Sequence, residues 1–435
     1  MSRSHDTEVP PIERRDRVLL QPLRQRNQAG IGSAERQIRV GVNEIRDPNQ
    51  IISDQRVDDE VSVRNRPEEP GFGLCADPPT NHVCSLGYHQ PSRAERTSLP
   101  LQEISTRHAP GADSTNRVRS TRSLLEQVFD ADQAIRTANR VVHAGDGLAH
   151  AQRRAIPPRA AREAMVNGVT HRDWLSTQPT TIEHIGDTLT VTSPGGLPGD
   201  VRPDNIITHP SSPRYKSLAE AMAALRLAER EGIGVDRMIA DMLTRGRPEP
   251  EISETAGPSV RVSLFGGEPD PEIVDLLAGL DPPQATQDLD VVLLINHLSN
   301  NHYVDVATAR PLLQRPPGET EAALARATAT TFAGHPLIVG LNGVPHGHEP
   351  AYRLSDPARA QLASRTKRLD ATPVRAQVIL SWARHRGRVS STEVADLLGL
   401  SIVRAGQILT SLEERGDLSP GKEIKAGRGF FYTPT

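Results

Sequence analysis

The stretch from Ile156 to Trp174, IPPRAAREAMVNGVTHRDW, constrains the fold more than any other part of the chain. Its two prolines suit the first turn of a helix, where no backbone N–H is needed, and the apolar spacing that follows predicts an amphipathic helix. On such a helix Glu163 and Asn167 are four residues apart and lie one above the other. A carboxylate beside a carboxamide is either a solvent-facing pair or part of a site.

The segments around this helix predict an α+β domain over residues 121–266. The preceding run, TRSLLEQVFDADQAIRTANRVVHAG, predicts a helix closed by Gly145. The following run, TTIEHIGDTLTVTSPGGLPGDV, alternates apolar and polar residues around a Gly-Asp turn and predicts a β-hairpin. SLAEAMAALRLAEREGIGVDRMIADMLTRG then predicts two helices joined by a glycine loop, and PSVRVSLFGG predicts a strand.

Two glycine motifs accompany the Glu163–Asn167 pair. Gly195 and Gly196 allow a tight backbone path at the end of the hairpin. Gly232 and Gly234 stand just before a helix, where free N–H groups and the helix dipole favour phosphate oxygens, although glycine also closes the first helix of a helix-turn-helix. A carboxamide oxygen suits Mg²⁺, and a carboxylate one turn away can deprotonate an attacking water.

Together these residues resemble the Bergerat (GHKL-type) ATP-binding fold of gyrase, histidine kinases and MutL-type ATPases. The words IPPRAAREAMVNGVTHRDW, SPGGLP and REGIGVDRM resemble more closely a bacterial family described as ATP-binding transcriptional regulators or RecG-like helicase-related proteins. Many members of that family begin with a Schlafen AlbA-type domain. The resemblance covers about a quarter of the chain, from Ile156 to about Leu264, and it implies ATP and Mg²⁺ as cofactors.

The resemblance implies a role for each matching residue. Asn167 would be the Mg²⁺ ligand and Glu163 the catalytic base that activates water. Gly195 and Gly196 would form the nucleotide-side turn, and Gly232 and Gly234 the phosphate loop. The triplet His171-Arg172-Asp173 also belongs to the family signature. It has either a nucleotide role or a structural one, in which Asp173 pairs with Arg172 or caps the next turn.

The sequence departs from the family pattern at two places. Gyrase-like members read the adenine amino group with an Asp, where this chain has Thr192 or Ser193. A hydroxyl accepts that hydrogen bond less strongly than a carboxylate, which puts base selectivity and affinity in doubt. The family's Asn after Arg is replaced by Tyr215, while the neighbouring Arg214 could still face phosphates.

The C-terminal part predicts two units in which three helices precede a β-hairpin, the pattern of a winged helix. They span residues 288–364 and 372–435. The hairpin loop of the first, NGVPHGHEP, has no Lys or Arg, so dimerisation or packing is its expected use. The second unit holds nine Arg and Lys residues against six Asp and Glu, and it predicts a DNA-binding domain. Its candidate DNA contacts are Ser401, Arg404, Gln407, Lys422, Lys425 and Arg428. Its third helix is expected to bury Ile402, Ile408, Leu409 and Leu412.

Residues 1–120 predict a largely disordered region. They contain 17 Arg, no Lys and 28% hydrophobic residues, against 36% for the whole chain. No strand pattern there supports an AlbA-type domain, so this region is expected to be a degenerate tail or a mis-framed one, with translation starting nearer residue 120.

The remaining features narrow the function. The chain has a formal net charge of −3, no run long enough to span a membrane and no GxxxxGK[ST] motif for P-loop helicase chemistry. We therefore predict a cytoplasmic, ATP- and DNA-binding transcriptional regulator, at most a slow ATPase, with a possible homodimer. The alternatives are a winged-helix regulator whose nucleotide-free scaffold serves dimerisation, and a helicase-related ATPase, which the missing P-loop disfavours.

Overall fold

The computed structural model describes residues 102–144, 151–228, 232–369, 372–423 and 429–435. The disorder predicted for residues 1–101 lies outside these ranges, as do Lys425 and Arg428. Within the described ranges the predicted α+β class is confirmed.

A six-stranded mixed sheet forms the first layer, in the order β2-β1-β5-β6-β8-β7. Its strands are β1 (Gln102–Arg107), β2 (Asn116–Ser120), β5 (Thr180–Ile185), β6 (Thr188–Pro194), β7 (Glu251–Thr255) and β8 (Ser259–Phe265). A separate pair, β3 (Val141–Ala144) and β4 (Ala151–Arg154), is antiparallel. β5 and β6 form the predicted hairpin, with Ile182 opposite Val191.

Four helices accompany this sheet: α1 (Leu124–Ala138), α2 (Pro158–Thr170), α3 (Lys216–Ala224) and α4 (Gly234–Leu243). The helices bury one face of the sheet, where Met165 of α2 and Ile182 of β5 are at most 1% exposed. Burying each such side chain contributes about 1.5–3 kcal/mol. The core therefore holds α2 firmly against the sheet and fixes the direction of its polar face.

Two expectations about this domain are wrong in the structure, and one of its strands was not predicted. Residues 102–120 were expected to be disordered, yet they form β1 and β2, and β1 pairs in parallel with β5. A chain beginning near residue 120 would lack both strands. The helix expected to run to Gly145 ends at Ala138, because Asn139 turns to an extended backbone and bonds Ile156 through its side chain. β7 was not predicted, since its alternation is short and mostly polar.

A second region follows the sheet domain. Its helices are α5 (Pro271–Ala278), α6 (Leu289–Leu298), α7 (Val306–Leu313), α8 (Pro317–Ala329), α9 (Asp356–Gln361) and α10 (Ala363–Leu369). Its short strands are β9 (Leu280–Asp281), β10 (Val304–Asp305), β11 (Thr331–Phe332), β12 (His335–Pro336), β13 (Ile338–Gly340) and β14 (Ala351–Leu354). The predicted three helices and strand pair are present, and α6 is buried almost all round.

The last region has α11 (Thr372–Arg386), α12 (Ser391–Leu398), α13 (Ile402–Glu414), β15 (Leu418–Pro420) and β16 (Tyr432–Pro434). It packs on the hairpin loop of the preceding region, where the Asn342 N–H donates to Asp396 at 2.8 Å and Arg353 pairs with the same carboxylate. Among the described residues no single helix is long and apolar enough to cross a membrane, although α12 and α13, bent by 113°, meet that criterion jointly.

Candidate functional site

Glu163 and Asn167 lie in a cavity of about 170 Å³ between α2, α4 and the sheet. The Asn167 amide donates to Glu163 Oε1 at 3.2 Å, and Glu163 is only 7% exposed. Burial raises the pKa of Glu163, against the opposing effects of the Asn167 hydrogen bond and of nearby arginines. The solvent-facing interpretation of the pair is therefore wrong.

Other groups closely approach Gly232, which precedes α4, and Gly234, which is its first residue. A Cβ at Gly234 would lie 1.8 Å from Glu163 Oε1. Gly232 has a φ of +70°, and a Cβ there would lie 2.7 Å from the Cβ of Ser211. Both glycines line the cavity, so the N-terminus of α4 and the Glu163 carboxylate face each other. A helix N-terminus at this place is suited to bind an anionic group.

The two glycines of the other pair, Gly195 and Gly196, have different roles. Gly195 has a φ of +96°, its N–H donates to Pro258 O at 2.8 Å, and a Cβ there would lie 2.8 Å from the Cβ of Asp173. It lies behind the cavity and makes the turn possible. Gly196 borders the cavity itself.

Arg214 does not face the cavity, contrary to the prediction that it could face phosphates. Its Nε donates to His171 O at 3.3 Å and its Nη2 to Gly196 O at 2.5 Å. The guanidinium thus ties the glycine turn to the end of α2. Arg214 is not among the residues that line the cavity, and its described hydrogen bonds brace the backbone beside it.

In the triplet after α2, Arg172 and Asp173 have the structural role that the sequence left open. Asp173 accepts from the Leu175 N–H at 2.9 Å and so caps the next turn. Arg172 is 2% exposed and donates to the carbonyls of Ser176 and Gln178. His171 alone borders the cavity, and burial lowers its pKa.

Ser193, not Thr192, stands on the cavity side of β6. Side chains alternate along a strand, and Leu189, Val191 and Ser193 are the buried set. Thr192 points to the opposite face, so its assignment to the nucleotide was wrong. The Ser193 hydroxyl donates to Gly168 O at 2.6 Å, which leaves its oxygen able to accept from a ligand.

Sequence reasoning missed much of the apolar lining. Strands β6–β8 contribute Val191, Ile252, Val260 and Val262, and α4 contributes Val235 and Met238. The period-two alternation of β6 could have identified Val191 and Ser193. A further group of lining residues belongs to the irregular segment 197–213, which we call the cover: Leu197, Pro198, Val201, Ile206, His209, Pro210, Ser211 and Ser212. Leu197 and Pro198 end the SPGGLP motif, but no motif was singled out for the other lining residues of the cover.

A second, larger cavity of about 810 Å³ lies at the other end of the β5–β6 hairpin. It is bordered by His184, which is 3% exposed and has no hydrogen-bond partner for Nε2 in the described part of the chain. Two carboxylates also border it, and each is paired: Asp187 with Arg140 and Asp130 with Arg122.

The candidate DNA contacts lie at the start of α13. Ser401 caps the helix by accepting from the Arg404 N–H at 3.2 Å, and Arg404 donates to Gln407 at 3.0 Å. All three are exposed, as is Lys422. The expectation that Ile402 is buried is wrong, because it is 58% exposed. The α13 core face consists of Ala405, Leu409 and Leu412, with Ile408 partly buried against it.

Two family models match parts of the chain. Residues 178–264 match the model described as "Putative ATP-dependent DNA helicase recG C-terminal", and residues 271–363 match a "Family of unknown function (DUF5635)". The chain therefore carries an ATPase domain like the C-terminal domain of that family. The match begins after α2, so Glu163 and Asn167 are placed at the site by the structure and not by the match.

One solved structure is similar to most of the chain. The crystal structure of the DIP2311 protein from Corynebacterium diphtheriae has a TM-score of 0.68 and 27% sequence identity. The similarity covers 79% of this chain but only 61% of that protein. No curated protein matches the chain.

Proposed function

We propose that the sheet domain binds ATP in the cavity between α2, α4 and the cover. The observation that carries this proposal is the convergence of Glu163, Asn167, Gly196, Gly232 and Gly234 on one cavity, although they come from three separate sequence motifs. The α4 N-terminus offers N–H groups for phosphates. The apolar strand side chains behind Ser193 offer a surface for a base.

The donor set at α2 fits Mg²⁺. Asn167 uses its amide nitrogen on Glu163, which leaves the carbonyl oxygen as a hard ligand of the kind that Mg²⁺ prefers. Mg²⁺ usually takes few protein ligands and completes its shell with phosphate oxygens and water. When bound, it would neutralise phosphate charge. Glu163, with its raised pKa, would orient and deprotonate a water for slow hydrolysis.

The test is equilibrium binding of ATP with Mg²⁺ to the full chain. In the Asn167→Ala variant we expect the affinity to fall about ten- to a hundredfold, the effect of losing one contact to a charged group. The matched control is Asn300→Ala, because Asn300 is exposed and is not one of the residues that line the cavity. Equal binding by both variants would remove Asn167 from the site, and absence of binding by the wild type would favour the nucleotide-free scaffold.

We further propose that residues 372–435 form a winged helix that binds DNA and that the protein regulates transcription in response to nucleotide. This proposal is supported by the exposed Ser401, Arg404 and Gln407 at the start of α13, and by the antiparallel pair β15–β16 that follows it. In winged helices the third helix enters the major groove and the hairpin contacts the backbone.

DNA binding is measured with mixed-sequence duplexes over a range of salt concentrations. Arg404→Ala should weaken binding about tenfold and, if Arg404 contacts a phosphate, reduce the salt slope by about one. Lys367→Ala, which removes an exposed charge from α10, serves as the control. An effect equal to that of Lys367→Ala would argue against α13 as the DNA-reading helix.

A further inference from the structure

The cover of the proposed nucleotide cavity is bonded to the following region through one residue, Gln314. The Ile207 N–H donates to Gln314 Oε1 at 2.8 Å, and Gln314 Nε2 donates to Pro203 O at 2.9 Å. The Thr208 hydroxyl donates to the Gln314 main-chain carbonyl, also at 2.9 Å. Gln314 thus forms hydrogen bonds with three residues of the cover, Pro203, Ile207 and Thr208.

The backbone at Gln314 is shaped for this contact. Gln314 ends α7 with a φ of +55°, a left-handed conformation that is uncommon outside glycine. This conformation directs both the carbonyl and the side chain toward the cover. For residues 200–209 of the cover, every other hydrogen bond that the structure describes stays within residues 198–210.

Packing joins the same two regions. Ile207 of the cover packs against the hydrophobic core of the 271–363 region, as does Val235 in the first turn of α4. Helix α4 itself belongs to two cores, since Met238 and Met242 face the sheet while Ile239 and Leu243 face α6. Helix α4 and the cover therefore both pack against the 271–363 region, which matches the family of unknown function.

With the cover in this position, the cavity beneath it is small. The cavity of about 170 Å³ is smaller than the roughly 300–1,000 Å³ that small-molecule sites usually offer. Because this volume is below that range, we expect a nucleotide that binds there to displace the cover outward. Such a movement must break the Gln314 bonds or carry the 271–363 region with it.

We infer that the 271–363 region holds the cover over the nucleotide cavity through Gln314, a positioning residue, so that ATP binding and release of this contact are coupled. This inference rests on the proposed ATP site. Because coupling is reciprocal, releasing the contact strengthens ATP binding, and ATP loosens the contact. The 271–363 region then responds to nucleotide binding and transmits that response to the C-terminal region, residues 372–435.

The experiment compares Gln314→Ala with Gln284→Ala in the full chain. Gln284 is an exposed glutamine of the same region, and no hydrogen bond that the structure describes joins it to the cover. ATP and Mg²⁺ should bind Gln314→Ala about three- to tenfold more tightly than wild type, which corresponds to one or two net hydrogen bonds. Gln284→Ala should bind like wild type.

Hydrogen exchange of residues 203–209 supplies a readout that a general loss of stability would not imitate. Exchange there should rise in Gln314→Ala without nucleotide, and in wild type on addition of ATP, while the core of α6 stays protected. ATP binding that is equal in wild type and Gln314→Ala overturns the coupling alone. Absence of ATP binding in both overturns the proposed function, and the coupling with it. Unchanged exchange in Gln314→Ala overturns the role of Gln314 itself.

Discussion

The two cavities of the sheet domain differ in size and in chemistry. The larger, about 810 Å³, pairs both of its carboxylates, Asp130 and Asp187, with arginines, while Arg107 Nε and His184 Nε2 have no hydrogen-bond partner in the described part of the chain. The smaller, about 170 Å³, brings a buried carboxylate, a carboxamide and a helix N-terminus to one point. Volume therefore does not identify the proposed nucleotide site. What distinguishes the smaller cavity is that a buried carboxylate, a carboxamide and a helix N-terminus meet there.

The two cavities also differ in what closes them. The small cavity is covered by an irregular segment whose middle is bonded to Gln314, in another region of the chain. The large cavity is bordered by α1 and the β5–β6 turn, which belong to the sheet domain itself. A change elsewhere in the protein can therefore reach the small cavity, and this suits a regulated site.

The largest expected effect on this comparison comes from Gly234→Ala. The added methyl group would overlap Glu163 Oε1, so the carboxylate or α4 must shift. Overpacking of this kind costs about 1–3 kcal/mol, and ATP affinity should fall about ten- to a hundredfold. The control is Gly406→Ala, since nothing lies within 4 Å of a Cβ there. That control should stabilise α13 by about 0.5–1 kcal/mol and leave ATP binding unchanged.

Isothermal titration of both glycine variants with ATP and Mg²⁺ measures this difference. Wild-type affinity in Gly234→Ala would show that phosphates do not bind where α4 meets α2. The small cavity would then no longer be preferred over the large one as the candidate ATP site.

Glu163→Gln should separate binding from hydrolysis. Gln can still accept from the Asn167 amide but cannot take a proton, so hydrolysis should fall at least about a hundredfold while ATP binding persists. Phosphate release under single-turnover conditions measures hydrolysis, and titration with ATP measures binding. Glu220→Gln, on the exposed face of α3, controls for the loss of one charge. Undiminished hydrolysis would exclude Glu163 as the base.

The same variant predicts a pH dependence of stability. Burial raises the pKa of Glu163 in the folded state above its ordinary 4.5. The stability linked to the protonated carboxyl is then complete below about pH 4.5 and is lost as the pH rises through the folded pKa. Thermal unfolding of wild type and Glu163→Gln should therefore nearly coincide at about pH 4 and diverge toward about pH 7.5, with the variant more stable. A constant difference across this range would contradict the assignment.

The smallest effect is expected from Gln133→Trp, which places an indole at the large cavity. Gln133 is exposed on α1, so the helix should tolerate the change. ATP affinity should stay within about twofold of wild type, because this residue is remote from the groups that converge at α4. A loss of tenfold or more would identify the large cavity as the nucleotide site and reverse the comparison.

Local sequence predicted a large part of this site because several of its polar residues and glycines belong to short sequence motifs. The four-residue spacing of Glu163 and Asn167 places them together on any helix. Gly232 precedes α4 as expected, whereas Gly234 is the first residue of that helix. Strand alternation could also have chosen Ser193 over Thr192, since one register fixes the face of every residue in β6.

The rest depended on contacts between residues distant in sequence. β1 and β2 were missed because short polar strands gain their stability from partners, and β1 is held by β5 more than seventy residues later. The role of Arg214 follows from two carbonyls that only the folded chain brings to it. The exposure of Ile402 likewise follows from which side of α13 packs on its neighbours.

The sequence by itself determined the α+β class of the sheet domain, the helix that carries Glu163 and Asn167, and the glycine turns, because helical and strand periods and glycine's conformational freedom act over a few residues. Only the tertiary structure decided that these groups share one buried cavity, that its cover is held by Gln314 and that Arg214 braces it. Those facts depend on long-range packing, which joins residues with no relation in the sequence.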